Sequence, residues 1–297
     1  TDSPADTVTS IYANKFAQEV MRLSEGRIQM QVYENGTLGG DRELLESCMG
    51  KDIPFILQNT APQVNFMPEL CIFDLPVAYT SITKLRETLD DATFIKMINA
   101  VYEKKGFRLL GMGDQSFRVM TTNKKIQTLQ DFKGQKIRTM ENKYHIAFWQ
   151  SIHANPTPMT FSEVYIGLQQ GTIDAQENPY EVIVSGKIYE QQDYIVQTNH
   201  LPHLLSLIVN EEFFQSLKQE DQQVVLKAAE IAKNYARKQA DARVKERLAI
   251  ITQSGTNIIT LDEAMIKEIR KEAAVVYEDI HKQAGDAIYH AYTKHMQ

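Results

Sequence analysis

Two arginines of this chain stand in strand-like stretches, where a guanidinium needs an anionic partner. Arg118 lies in the run SFRVM at 116–120, and Arg138 lies in KIRTM at 136–140. Arginine can grip a carboxylate through two parallel hydrogen bonds, which lysine cannot do. Because a charge that leaves water unpaired is costly, each arginine predicts either an ion pair with a protein carboxylate or a site for an anionic ligand. The residues alone leave both interpretations open.

An amide and an aromatic ring follow Arg138 and are the further groups that an organic-acid site needs. Asn178 precedes Pro179, which favours extended backbone at the asparagine, and the side chain of Asn178 offers both donors and an acceptor. Phe161 follows the run PTP at 156–158, where we expect it to form a cavity wall. An arginine fork, an apolar wall and an amide are the usual means of recognising a small organic acid.

Catalytic and metal-binding motifs are absent from the sequence. It contains no HExxH, no GxSxG and no Walker loop. The histidines near the end of the chain, His281, His290 and His295, are not three or four residues apart, so we expect surface residues and not metal ligands. We therefore predict no catalytic residue, no metal and no cofactor.

The overall composition predicts a folded protein that repels nucleic acid. Of 297 residues, 43% are hydrophobic and 24% charged, and the formal net charge is −6, so any bound anion must be held by local positive charge. No apolar run reaches the roughly 20 residues that span a bilayer. The start of the chain lacks the basic and apolar regions of a signal peptide. We therefore expect either a cytoplasmic protein or one whose targeting segment was removed before Thr1.

The two cysteines, Cys48 and Cys71, form neither a CxxC pair nor a metal-ligand pattern. The favoured interpretation is two buried thiols, because a free cysteine behaves as a small hydrophobic residue. A disulfide between them stays open if the compartment is oxidising.

The order of the secondary-structure patterns predicts an α/β fold. Alternation of Ile28, Met30 and Val32 indicates a strand, Asp41 is placed to start a helix, and the apolar run at 53–57 indicates a buried strand, a rhythm typical of parallel neighbours. The same reasoning predicts further strands at 107–112, 117–122, 136–140, 173–176 and 194–197, and helices at 7–23, 82–89, 92–104, 144–151 and 162–169.

One helix is predicted to be much longer than the others. Residues 217–251 contain no glycine or proline, are rich in helix formers and keep an apolar stripe. At 1.5 Å per residue this helix would be roughly 50 Å long. It is either an amphipathic surface helix or, as we favour, a strut that lies across two domains.

Six runs along the chain match, in order, the sequence pattern of a known family. They are FAQEV (16–20), GRIQMQVYENGTLGGDRELLE (26–46), DLPVAY (74–79), DFKGQKIRTMEN (131–142), PTPMTFSEVYIGLQQGTIDAQENP (156–179) and TNH (198–200). With these runs the chain resembles the extracytoplasmic solute-binding subunit of tripartite ATP-independent periplasmic (TRAP) transporters. One departure is that members usually open with a strand before the first helix, whereas here the helix begins almost at once.

The resemblance implies a two-lobe architecture like that of periplasmic binding proteins, with a ligand cleft between the lobes and the long helix spanning both. Lobe I would comprise residues 1–115 with about 204–243, and lobe II residues 116–203 with about 244–297. The hinge is expected at 113–115, near Pro202 and at a bend in the long helix.

The resemblance also assigns roles to five residues. Arg138 is expected to clamp the ligand carboxylate, Arg118 to be a second cationic contact, and Asn178 to meet the same carboxylate. Phe161 is expected to pack on the ligand, and Asn59 to face it from the first lobe.

The function that the resemblance implies is capture of a small organic acid outside the cytoplasmic membrane and its delivery to membrane transport subunits. We expect a monomer without enzymatic activity in the periplasm, and we favour a sugar acid or similar hydroxylated monocarboxylate because Gln58, Asn59 and Thr60 could meet hydroxyls. The alternatives are a C4-dicarboxylate ligand in the same family and a cytoplasmic two-domain enzyme with a site between its lobes.

Overall fold

A computed structural model describes residues 1–296, and a mixed seven-stranded sheet runs through them. The strands are β1 (Phe55–Asn59), β2 (Phe107–Thr122), β3 (Lys136–Thr139), β4 (Asn155–Pro158), β5 (Ala175–Asn178), β6 (Tyr194–Asn210) and β7 (Asn257–Thr260). Their order is β1-β6-β2-β5-β3-β4, and β7 pairs with β6 outside this path. The predicted α/β fold is confirmed.

Two long antiparallel strands, β2 and β6, form the centre of the sheet. The prediction of separate strands at 107–112 and 117–122 is wrong, because pairing with β6 continues through irregularities, one of them between Asp114 and Phe117. Ser116 there has a φ of 68°, which turns the strand without ending it. The strand predicted at 194–197 likewise extends to Asn210. Parallel pairing is confined to β3 with β4 and β5 and to β6 with β7.

Twelve α-helices among the described residues surround this sheet. They are α1 (Val8–Leu23), α2 (Asp41–Met49), α3 (Ile82–Leu89), α4 (Ala92–Glu103), α5 (Lys143–Ser151), α6 (Phe161–Gln169), α7 (Tyr180–Ser185), α8 (Glu211–Ser216), α9 (Gln219–Gln253), α10 (Glu263–Glu272), α11 (Ala274–Ala284) and α12 (Asp286–Thr293). Short 3₁₀ helices lie at Pro62–Asn65, Pro68–Asp74, Leu129–Phe132 and Ile188–Gln191. In the part of the chain that the structure describes, no helix combines the length and the apolar character that crossing a membrane requires.

The long helix α9 has 35 residues and packs against α1, β2 and α7. Its buried face consists largely of alanines, among them Ala228, Ala232 and Ala236, so neighbouring backbones can approach closely. The helix thus packs on α1, from the first part of the chain, and on α7, from the predicted second lobe, as a strut between two lobes would.

The strand predicted at 28–32 does not form. Ile28, Met30 and Val32 are half-buried and alternate with exposed residues as predicted, but the extended backbone pairs with none of the described strands. Alternation reports which side chains face the core, whereas a strand also needs a hydrogen-bonded neighbour. Residues 28–32 therefore add no strand to the sheet, and the parallel pairing expected between 28–32 and 53–57 does not occur.

The last two helices, α11 and α12, do not pack in the lobe to which the sequence analysis assigned them. Tyr292 of α12 contacts the rings of Phe73 and Phe94, with centroids 5.7 and 5.6 Å away, inside the core that also holds α4. Residues 244–297 were expected in lobe II, but α11 and α12 belong to a core built mainly from lobe I residues. The remaining lobe boundaries stay a prediction.

Cys48 and Cys71 are both free and buried. Burial raises the pKa of each thiol to about 12. The interpretation as two buried thiols agrees with the structure, which contains no disulfide between them.

Candidate functional site

A cavity beside the carboxyl end of β3 contains four of the five predicted site residues. It has two chambers that share Asp2, Asp41, Arg138, Met140 and Phe161 in their linings. The first chamber, of about 30 Å³, is also lined by Ser3, Pro4, Asn59, Asn178, Val182 and His203. The second chamber, of about 70 Å³, is also lined by residues that include Glu43, Pro62, Phe66 and Thr160. We call both together the Arg138 cavity.

Arg138 is a buried cation without an ion-pair partner. Its side chain is on β3 and the residue is only 3% exposed. Nε and Nη2 donate to the Met159 backbone carbonyl at 2.8 and 2.6 Å, and this fixes the plane of the guanidinium. Among residues 1–296, no carboxylate oxygen lies within 4.0 Å of its nitrogens. Burial lowers the pKa of Arg138 to about 10, against the opposing effect of the Glu177 charge.

Arg118 lies behind the cavity and not in its lining. It is fully buried on β2, and its Nε and Nη2 donate to the Glu177 carboxylate at 2.5 and 2.9 Å. Nη2 also donates to Asn178 Oδ1 at 3.1 Å, and Nη1 contacts His203 Nδ1 at 2.5 Å. The protein therefore uses this arginine fork itself, and a direct contact between Arg118 and a ligand stays a prediction.

Glu177 on β5 connects Arg118 to a group of buried histidines. Its carboxylate also meets His200 Nε2 at 2.9 Å, and all three residues are fully buried. Burial alone would raise the pKa of Glu177, but the Arg118 charge and the His200 hydrogen bond outweigh it and hold the pKa well below its usual range. Burial lowers the pKa of His200 and that of His203, so both rings favour the neutral form.

Asn178, Phe161 and Asn59 reach the cavity from three separate elements. Asn178 ends β5, and its Nδ2 donates to Gln176 Oε1 at 2.7 Å, which orients the amide. Phe161 begins α6 directly after Thr160, one residue before the predicted start at Ser162. Asn59 ends β1 with its Oδ1 accepting from the backbone N–H of Ala61 at 2.8 Å, so its Nδ2 is the group available to a ligand.

Sequence reasoning missed Asp41, which we had predicted only as a helix start. Asp41 begins α2 and lines both chambers together with Arg138. Gln58 donates to its Oδ1 and to its backbone carbonyl, both at 3.2 Å, so the Gln58 amide positions Asp41 and does not line the cavity. Burial, and then the nearby Asp2 charge, raise the pKa of Asp41 well above its usual value. The run LGGDR was visible in the sequence, but nothing in it showed which way the carboxylate faces.

The turn that follows Arg138 is tied to the other side of the cavity by Asp74. Its carboxylate accepts from Asn142 Nδ2 at 2.7 Å and meets His145 Nε2 at 3.0 Å. Asn142 Nδ2 also donates to the Ala61 carbonyl at 2.9 Å, and its Oδ1 caps α5. Asp74, the last residue of the 3₁₀ helix Pro68–Asp74, thus fixes the backbone between β3 and α5 against that helix.

Replacing Asp74 by asparagine is expected to destabilise the protein by about 1–3 kcal/mol, because one buried donor at Asn142 or His145 loses its acceptor. Urea denaturation of the variant and of the wild type measures this difference. The exposed Asp52→Asn is the matched control and should change the free energy of unfolding little. Equal stability of all three proteins would show that this contact does not hold the turn.

A larger cavity lies elsewhere in the molecule and is unsuited to an anion. It has a volume of about 320 Å³ and is enclosed by α1, the extended segment at 28–33 and β1. Its lining is mostly apolar and includes Phe16, Met30 and Phe55, and it contains no arginine or lysine side chain. A carboxylate there would lose water without gaining an arginine or lysine partner. We therefore place the candidate site in the Arg138 cavity.

Comparisons with known proteins agree with a ligand-binding role for this fold. The family model described as bacterial extracellular solute-binding protein, family 7, matches residues 1–284. A solute-binding protein of Verminephrobacter eiseniae is 33% identical over 84% of this chain and 75% of its own length.

Two solved structures are similar over nearly the whole chain. A sugar acid binding protein of Advenella mimigardefordensis in complex with galactonate has a TM-score of 0.94 at 26% identity, covering 99% of this chain and 95% of that one. A TRAP periplasmic solute-binding protein of Polaromonas bound to D-erythronate has a TM-score of 0.92 at 30% identity, covering 98% and 95%. The predicted two-lobe binding-protein architecture is thereby confirmed.

Proposed function

The chain belongs to the family 7 bacterial extracellular solute-binding proteins, and from that membership we propose that it captures a small organic acid in the periplasm and delivers it to the membrane subunits of a TRAP transporter. The observation that carries the proposal is Arg138, a buried guanidinium held by one backbone carbonyl and without a carboxylate partner among the described residues. A ligand carboxylate supplies the missing charge through the remaining N–H groups. Asn178 and Asn59 offer amides to the same molecule, and Phe161 offers an apolar face.

The proposed ligand is a hydroxylated monocarboxylate such as a sugar acid. Arg118 is neutralised by Glu177, so among residues 1–296 Arg138 is the one cation in the lining of the first chamber, and it has no carboxylate partner. Asp41 and Asp2 lie in the same lining. A second ligand carboxylate would lie beside these two acids, and the repulsion would force one of the carboxyl groups to take up a proton. Hydroxyl groups of a ligand, in contrast, can hydrogen-bond to Asp41 and Asn59. Galactonate and D-erythronate, the ligands of the two similar structures, are acids of this class.

Binding is proposed to close two lobes around the acid. Lobe I comprises residues 1–115 and about 204–243 together with α11 and α12, and lobe II comprises residues 116–203 and about 244–273. The proposed hinge at 113–115 contains Asp114, whose carboxylate accepts from Arg86 at 2.8 and 2.9 Å. Arg86 also reaches Asp241 of α9, so this ion pair links the hinge strand to the long helix. The protein acts as a monomer and does not turn over its ligand.

A melting-shift screen of organic acids tests the proposed function. A ligand at about 100 times its dissociation constant adds roughly 2.7 kcal/mol of stability. We expect sugar acids such as galactonate and erythronate to raise the melting temperature, and succinate and malate to leave it nearly unchanged. A shift with C4-dicarboxylates alone would refute the ligand class, and turnover of a bound acid would support the enzyme alternative.

Replacing Asp41 by asparagine is expected to lower the preference for hydroxylated monocarboxylates over dicarboxylates by about tenfold, since the variant loses the carboxyl group that disfavours a second ligand carboxylate and a tenfold change corresponds to about 1.4 kcal/mol, the size of one hydrogen bond. Calorimetric titration of both ligand types into the variant gives the ratio of their affinities. The exposed Asp193→Asn is the control and should retain the wild-type ratio. An unchanged ratio in Asp41→Asn would exclude Asp41 as the group that selects the ligand.

A further inference from the structure

A cluster of two histidines and one aspartate lies at the corner between α11 and α12, away from the Arg138 cavity. His281 is in the last turn of α11, Asp286 begins α12, and His290 is in the last turn of α12. In one continuous helix, residues nine apart would point about 180° away from each other. Gly285 has a φ of 82° and ends α11, so the chain turns and brings the side chains to the same side.

The three side chains are close enough to share one ion. Their nitrogen and oxygen ligand atoms all lie within 4.8 Å of one another. His281 Nε2 and Asp286 Oδ1 are 2.8 Å apart. The His281 ring stacks on Tyr289 with a centroid distance of 3.9 Å and an interplanar angle of 13°, and this contact orients the imidazole. The ring of His290 meets that of His281 at 5.6 Å.

Although the spacing of the histidines in the sequence predicted surface residues and not metal ligands, we infer from this geometry that His281, Asp286 and His290 bind one divalent transition-metal ion of the zinc class, with solvent in the remaining position. Imidazole and carboxylate together suit Zn²⁺ and Ni²⁺, whereas Mg²⁺ and Ca²⁺ prefer oxygen ligands throughout. Donors around a tetrahedral zinc ion are about 3.3 Å apart. The site therefore forms when His290 moves inward and the contact between His281 and Asp286 lengthens slightly.

The surroundings permit that movement at little cost. The side chain of Asp286 is 88% exposed and that of His281 36%, and His290 is also exposed, so no packed core has to rearrange. The rest of this corner is anchored, because α11 contributes Val276 and Ile280 and α12 contributes Tyr292 to the core of lobe I. An ion there links the ends of two helices whose other faces are already fixed.

Calorimetric titration of ZnCl₂ into the full chain tests this site. The wild type is expected to bind one Zn²⁺ per chain, and MgCl₂ is expected to give no binding. His281→Ala and His290→Ala should each weaken zinc binding at least tenfold. His153→Asn removes an exposed histidine on another surface and should leave it unchanged. Cys48 and Cys71 are buried, so their thiols do not compete for the metal in the folded protein.

Two results would overturn the site. One is the absence of zinc binding by the wild type, and the other is zinc binding that persists in both histidine variants. Because His290 is exposed and His281 is only partly buried, we expect both variants to fold, and circular dichroism verifies this. Their affinity for an organic acid should equal that of the wild type, which separates the metal site from the proposed function.

Discussion

Replacing Arg138 by lysine is expected to weaken the binding of the organic acid by about 10- to 100-fold. Lysine keeps the positive charge but loses the planar fork, and each charge-assisted hydrogen bond contributes about 1.5–3 kcal/mol. The lost bond to the Met159 carbonyl adds to the effect, because that bond fixes the guanidinium in the wild type. Calorimetric titration with an acid identified in the melting-shift screen measures the change.

The matched control for this substitution is Arg22→Lys. Arg22 is an exposed arginine paired with Glu19 on α1, away from the Arg138 cavity, and its replacement should leave the dissociation constant unchanged. If Arg138→Lys also bound the acid with wild-type affinity, Arg138 would not be the carboxylate clamp. Lower affinity in both variants would indicate a general effect of charge and not a defined contact.

Replacing Glu177 by glutamine is expected to lower the free energy of unfolding by about 3–5 kcal/mol, because Arg118 would become a buried charge without a counter-ion. Glu177 accepts two hydrogen bonds from Arg118 and one contact from His200, and no part of this group is exposed to solvent. Urea denaturation at pH 7 measures the loss. Glu268→Gln, an exposed glutamate on α10, is the control and should change stability by less than about 0.5 kcal/mol.

The same substitution should also reduce the sensitivity of the protein to acid. The pKa of Glu177 in the folded state lies below the 4.5 of the free side chain, since Arg118 outweighs the effect of burial. Its contribution to stability is therefore fully present above pH 4.5 and is lost as the pH falls below that value. Between pH 7 and pH 3 the wild type should lose more stability than Glu177→Gln. Equal losses would show that this carboxylate is not held ionised by its neighbours.

Most of the fold class and four members of the proposed site were predictable because they depend on local patterns. Periodicity reports which side of an element faces the core, and it predicted both ends of α5 and of the long helix α9 to within two residues. The runs around Arg138 and Asn178 predicted a carboxylate site through the resemblance that they carry. The structure brings both residues into the lining of one cavity with Phe161 and Asn59.

The partners of charged residues, in contrast, depend on tertiary structure. The contact of Arg118 with a ligand stays a prediction, and its protein partner follows from the pairing of β2 and β5, in which Val119 lies opposite Asn178 and Met120 opposite Glu177. This register, set by hydrogen bonds between distant segments, brings the Glu177 carboxylate to the guanidinium. No local pattern encodes it.

The sequence by itself determined the kinds of elements, the family pattern and the presence of an arginine that needs an anion. The tertiary structure decided which arginine lacks a protein partner, that Asp41 faces the same cavity, and that a turn at Gly285 brings two histidines together. It also decided that residues 28–32 form no strand despite their alternating pattern, because a strand needs a hydrogen-bonded neighbouring strand. The physical reason is that side-chain periodicity is a property of one segment, whereas ion pairs, cavities and sheet pairing are formed between segments far apart in the chain.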